Sequence, residues 1–236
     1  MHIPMITRMF IATTITMNSD HRSILRLMAW LSPVFPIGGF AYSSGLEGAV
    51  HDNAVSSEDD LKQWILDLLV YGSNWNDAVL FAATWRHVQK GENIDELIAL
   101  SEAMAGTRER HLETMAQGSA FLTAIVEWDE GFTNLPKQCA LPLAVAVRCA
   151  DAEIALVPAL ATYLQAFVSN QLQAAIRLSI IGQSGAAKLL AQLEGSILDL
   201  AEKAAVSDLD DLGSFTLHAD ILSMRHETQE SRIFRS

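Results

Sequence analysis

Only two cysteines, Cys139 and Cys149, occur in 236 residues, both in an apolar stretch. That scarcity argues against a disulfide framework and for a reducing compartment, the cytoplasm. Basic residues are also few: 16 Lys and Arg stand against 28 Asp and Glu, a formal net charge of −12. Phosphate backbones demand a clustered basic face, so nucleic acid is not the expected partner. One charge-free run could be mistaken for a membrane span. It lies between Ile154 and Ile176 and holds Pro158, Gln165, Asn170, Gln171 and Gln173, which are costly against lipid, so a helix buried in protein is expected there, not a membrane span. Met1 to Met17 is apolar but split by Arg8, with no small-residue cleavage site after it. It reads as a flexible extension, with Met17 an alternative start.

Catalytic signatures are missing too. Gly182-Gln183-Ser184-Gly185 lacks the Lys-Ser/Thr of a phosphate loop and has no strand before it. There is no Gly-x-Ser-x-Gly elbow and no Cys-x-x-Cys. The seven histidines include no i, i+4 pair. His218 and His226 lie two turns apart in a helical reading and are weak metal candidates. The carboxylates fall mostly on polar helix faces, where solvation and capping explain them.

What is present is helix. Half the residues are hydrophobic, and their period is 3.6. Asp20–Leu31 places Ile24, Leu25, Leu27, Met28 and Leu31 on one side, before Pro33 and Pro36 stop it. Ser57, with Asp60 three residues on, opens a helix reaching about Val70. Further helices are expected over Asn76–Lys90, Ile94–Ala105, Arg108–Trp128, Leu141–Val147, Ile154–Ile181 and Ala186–Ala204, with Gly131–Lys137 a loop and Gly182 and Gly185 breaking the pattern. Strand alternation is scarce; Met9–Thr16 is the one β-branched run. The expected fold is all-α, a single-domain helical bundle over residues 19–207, with an extension over 1–18 and a C-terminal partner-binding segment over 208–236.

Two segments have compositions unusual for plain scaffolding. Ser32-Pro33-Val34-Phe35-Pro36-Ile37-Gly38-Gly39-Phe40 is stiffened by proline and freed by glycine, and it leads into Ala41-Tyr42-Ser43-Ser44-Gly45-Leu46-Glu47, a helix start with Gly45 inside it. It is either a rigid turn or a shaped partner or dimer surface. The C-terminus begins acidic at Asp208, Asp210 and Asp211 and ends in Ser231-Arg232-Ile233-Phe234-Arg235-Ser236. Ile233-Phe234 has no obvious core to enter. A segment that orders on a partner is preferred over a frayed tail, with Phe234 as anchor and Arg232 and Arg235 as charged contacts.

These two segments, in this order, resemble the UreF family of urease accessory proteins. The N-terminal pattern is met by Ser32, Pro33, Pro36, Gly38, Phe40, Tyr42, Ser43, Gly45, Leu46 and Glu47. The C-terminal pattern is met by Asp211 through Phe215, Asp220, Ser223 through Thr228, Ser231-Arg232 and Phe234-Arg235-Ser236; between the two, Arg177 and Gly182-Gln183 fit a third. Departures include Ala41 for Ser, Ile180-Ile181 for Pro-Leu, Glu230 for an aromatic residue, and no His-Pro within Gln138–Leu141.

The resemblance implies an all-α homodimer that is not an enzyme. It implies binding to the accessory protein UreD, also called UreH, recruitment of the GTPase UreG, and docking on apo-urease to regulate nickel insertion. No cofactor is expected to be bound stably, because nickel and GTP are carried by UreG. Partner binding is carried onto Arg225, His226, Glu227, Arg232, Phe234 and Arg235, and onto Pro36, Gly38, Phe40, Tyr42, Ser43 and Glu47. Glu47, His51 and Asp52 also offer carboxylate and imidazole groups for transient nickel contact. Two rival readings are an autonomous nickel-binding protein, which the sparse His and Cys spacing disfavours, and a helical enzyme, which no motif supports.

Overall fold

The computed structural model describes residues 21–128 and 136–236. The extension over 1–18, its Met9–Thr16 run and most of the Gly131–Lys137 loop lie outside the described residues. Within them the chain is all-α, with no strand. Its helices are α1 over 21–30, α2 Leu46–His51, α3 Glu58–Tyr71, α4 Ser73–Lys90, α5 Asp95–Ala103, α6 Arg108–Trp128, α7 Leu141–Asp151, α8 Leu156–Arg177, α9 Gln183–Val206 and α10 Leu217–His226. Short 3-10 turns occupy Gly39–Ala41 and Leu209–Asp211.

Local chemistry sets most boundaries. The Ser57 hydroxyl accepts the Asp60 N–H at 3.2 Å, satisfying an otherwise orphan donor of α3. Gly91, at φ 70, closes α4 in the left-handed conformation. α4 begins three residues before the expected Asn76 because Gly72, not a polar side chain, caps it. Gly182 caps α9, and Gly185 lies within that helix instead of breaking it. The apolar run from Ile154 resolves into two loop residues, Ile154 and Ala155, and α8, whose Pro158 sits in the first turn, where no helical donor is lost.

One core joins these helices. α4 lies at its centre, touching α3, α5, α7, α8 and α9, and is buried continuously from Asn74 to Thr84. α8 and α9 pack as a pair, as do α6 and α7, and α10 rests on α2 and α6. The orientation of α1 differs from the expected one. Leu27 and Trp30 are buried, while Ile24, Leu25 and Met28 are exposed. An apolar stripe two residues wide offers two ways of facing inward, and Trp30, with the larger area to bury, decides the rotation. No helix among the described residues is long and apolar enough to cross a membrane.

Candidate functional site

The loop ahead of α2 is shaped by backbone conformation. Gly45 has φ 85 and precedes α2 instead of lying inside it, and Ser44 beside it has φ 51. A serine in that region is strained; its hydroxyl is held by Glu113 Oε1 at 3.0 Å. The close approach expected of Gly45 belongs to Gly48. A Cβ there would sit 2.9 Å from the Leu222 carbonyl, so this glycine lets α10 lie directly on α2.

That approach brings the loop over 41–47 and the C-terminal tail together. Ser43 donates its backbone N–H to the Ser236 carbonyl oxygen at 2.8 Å, and its hydroxyl donates to the same oxygen. Arg235 donates its N–H to the Ala41 carbonyl at 2.8 Å. Phe234, expected to find no core, is 4 % exposed and enters this chain's own core. The reason is a lining contributed by Glu47 and Arg177. Glu47 accepts the N–H groups of Ile233 and Phe234, at 2.7 and 2.9 Å, and the Arg177 guanidinium covers the Phe234 ring.

Beneath the tail, His226 is fully buried between two carboxylates. Nδ1 lies 2.9 Å from Glu109 Oε2 and Nε2 lies 3.1 Å from Glu47 Oε2. A neutral imidazole has one N–H, so donating to both carboxylates takes a second proton. Arg232 completes the cluster at 3.2 Å from Glu109 Oε1. Burial raises the Glu109 carboxyl above its usual range, while the hydrogen bond from His226 opposes the rise. A second cluster continues from Glu113: Ser236 Oγ donates to it at 3.0 Å, and Arg110 bridges it to Asp77, which also accepts from the Tyr163 hydroxyl at 3.0 Å. Burial raises the Asp77 carboxyl, against the pull of Arg110.

The remaining expected residues divide between the outer side and the layer beneath it. Pro36 is exposed, Phe40 is 74 % exposed, and Gly38 is half-buried at φ 72. Tyr42 and Ser43 are buried beneath them; the Tyr42 carbonyl accepts from Asn170 at 3.1 Å and that of Ser43 from Gln171 at 2.9 Å. Glu227 caps α10. Exposed Arg225 pairs with Asp52 at 2.9 Å. Hydrogen bonds from His51 and then Arg225 lower the Asp52 carboxyl. His218 is exposed and shares no cluster with His226. Glu109, Glu113, Arg110 and Asp77 carry no mark in the sequence that sets them apart from solvated helix charges. Asn170 and Gln171 do, as amides inside an apolar helix.

Chemically, this region is a clasp. Its acids and bases are engaged with one another, and among the described residues no group of three or more His, Cys, Asp or Glu side chains is disposed to hold a metal ion. Both cysteines are buried, and burial pushes each thiol up to about 12.

Comparison with known proteins places these features in context. Residues 55–194 match the family model described as UreF. A Brucella canis protein named urease accessory protein UreF 1 is 53% identical over 229 residues, which cover 97% of this chain and 100% of the relative. Urease accessory protein UreF of Mesorhizobium japonicum is 52% identical over 215 residues, 91% of this chain and 96% of its own. The Brucella anthropi protein named urease accessory protein UreF 1 is 47% identical over 229 residues, 97% of this chain and 100% of the relative. The family model stops short of both segments that form the clasp, whereas the Brucella relatives extend across nearly the whole chain.

Proposed function

Since this chain belongs to the UreF family of urease accessory proteins, we propose that it is a noncatalytic scaffold of urease maturation. It works in the cytoplasm as a homodimer. With UreD/UreH it recruits the GTPase UreG to apo-urease and regulates nickel insertion. Nickel and GTP are held by UreG and not by stable sites on this chain.

The observation that carries this reading is the clasp itself. Segments separated by nearly the whole sequence are joined into one surface, with Phe40, Ile233 and Arg235 facing out and Glu47, His226 and Phe234 supporting them from below. A surface of exposed apolar and arginine side chains on a rigid base suits docking of another protein. The buried carboxylates and bases satisfy one another, which suits support better than turnover.

The test is complex formation with the cognate UreD/UreH protein, followed by size-exclusion chromatography with light scattering. The full chain is compared with a Phe40→Asp/Ile233→Asp variant and with a chain ending at Leu222. The expected result is a dimeric chain that forms a complex, with both altered forms failing to do so while remaining helical by circular dichroism. Equal binding by all three would overturn the assignment of the clasp as the docking surface.

A further inference from the structure

Away from the clasp, a cleft of about 600 Å³ opens between α1 and the corner joining α7 to α8. Its floor is cationic, with an aromatic ring buried behind it. Arg148 is 1 % exposed, donates to Asp151 Oδ2 at 2.9 Å, and lies 5.0 Å from the ring centroid of Trp30. Arg26 lies over the same indole at 5.9 Å, and Arg22 lines the cleft one turn earlier on α1. Two guanidinium groups therefore share one buried ring while a third stands beside them.

The charge arrangement runs against the rest of the chain. Acids outnumber bases 28 to 16, yet among the described residues neither Arg22 nor Arg26 has an acidic partner. Like charges at i, i+4 oppose helix formation unless something neutralises them. Of the two acids lining the cleft, Asp151 is engaged by Arg148 and Glu153 is an exposed loop residue. The start of α8 adds positive potential. Ala155 and Pro158 line the cleft, and this 22-residue helix has neither a capping side chain nor an acid in its first turn.

We propose that this cleft is a binding site for a small, multiply charged oxyanion, taken up between Arg22 and Arg26 with Arg148 and the α8 N-terminus behind them. Guanidinium groups pair with phosphate and carboxylate oxygens through two parallel hydrogen bonds, and both chemistries fit. A small ligand is favoured over a protein surface because the floor is recessed: Arg148, which lines it, is 1 % exposed. The volume also lies in the range of roughly 300–1,000 Å³ typical of small-molecule sites. The site is independent of the docking role proposed above.

Isothermal titration calorimetry on the full chain tests it, with inorganic diphosphate and citrate as the two probes. The parent is compared with an Arg22→Gln/Arg26→Gln variant, which keeps polar side chains at exposed Arg22 and half-buried Arg26. The expected result is saturable binding below about 1 mM for at least one probe, weakened at least ~10-fold in the variant, with matching melting temperatures. Binding of diphosphate alone assigns a phosphorylated ligand, and binding of citrate alone a carboxylate. No saturable binding of either, or equal affinity in the variant, overturns the proposal.

Discussion

The guanidinium of Arg177 lies 4.1 Å from the ring centroid of Phe234 and donates to the Phe40 carbonyl at 2.5 Å. One cation at the end of α8 thus holds both the tail and the N-terminal loop. Its planar fork is suited to stacking and donating at once, which a lysine ammonium cannot reproduce.

Replacing Arg177 with Ala is expected to loosen the clasp without unfolding the bundle. The loss is about 1–2 kcal/mol, from one cation–π contact and one charge-assisted hydrogen bond. Amide hydrogen exchange should accelerate at Phe234 and Arg235 but not in α4. Unchanged protection at the tail would show that Arg177 is not its restraint.

Glu47→Ala is the more severe change. It leaves His226 with one carboxylate and strands the N–H groups of Ile233 and Phe234. Removing one member of a buried charged network costs roughly 3–5 kcal/mol. Urea denaturation should register a loss of that order, and binding of UreD/UreH should fall with it. A loss under about 1 kcal/mol would mean that water replaces the carboxylate without difficulty.

Two glycines predict opposite signs. A Cβ at Gly118 would lie 2.0 Å from the Cys139 carbonyl oxygen, whereas at Gly195, exposed in α9, it would meet nothing within 4 Å. Gly118→Ala should force α6 from the start of α7 and destabilise by about 3 kcal/mol. Gly195→Ala should stabilise by about 0.5–1 kcal/mol through helix propensity. Thermal melts of the two variants check both signs.

The buried thiols supply a pH prediction. Their pKa is pushed from 9.0 to about 12 by burial. Below 9 both folded and unfolded chains keep the thiol protons. Above it the unfolded chain releases them first, so this contribution favours unfolding as pH climbs through that window. At pH 8, iodoacetamide should leave the folded chain unlabelled and modify both cysteines in urea. Rapid labelling of the folded chain would contradict the packing of α7.

Much of the helical architecture was legible in the sequence because it depends on local spacing. The Ser57 cap, the full extent of α6 and the apolar faces of α8 and α9 follow from periodicity and end signals. The rotation of α1 was not, since Ile24, Leu25 and Met28 satisfy the same period as Leu27 and Trp30. Composition does not reveal the positive φ that sets Gly45 ahead of α2 and not inside it.

The two unusual segments were also visible, but not their meeting. Nothing near Phe234 announces Arg177 or Glu47, and a hydrophobic residue at a chain end reads equally as an outward anchor or an inward one. Glu109 and Glu113 look like solvated helix charges until α10 and Ser236 cover them. The amides Asn170 and Gln171 were the one long-range hint, polar groups in an apolar helix that had to find partners.

By itself, the sequence determined the helical class, the family resemblance and the two segments of unusual composition, because propensity, periodicity and motif order are properties of neighbouring residues. Only the tertiary structure decided which carboxylates became buried partners and that the loop over 41–47 and the C-terminal tail close on each other. Those outcomes depend on contacts spanning 193 residues between Ser43 and Ser236, whose geometry is set by how α2, α6, α8 and α10 pack and by no local preference along the chain.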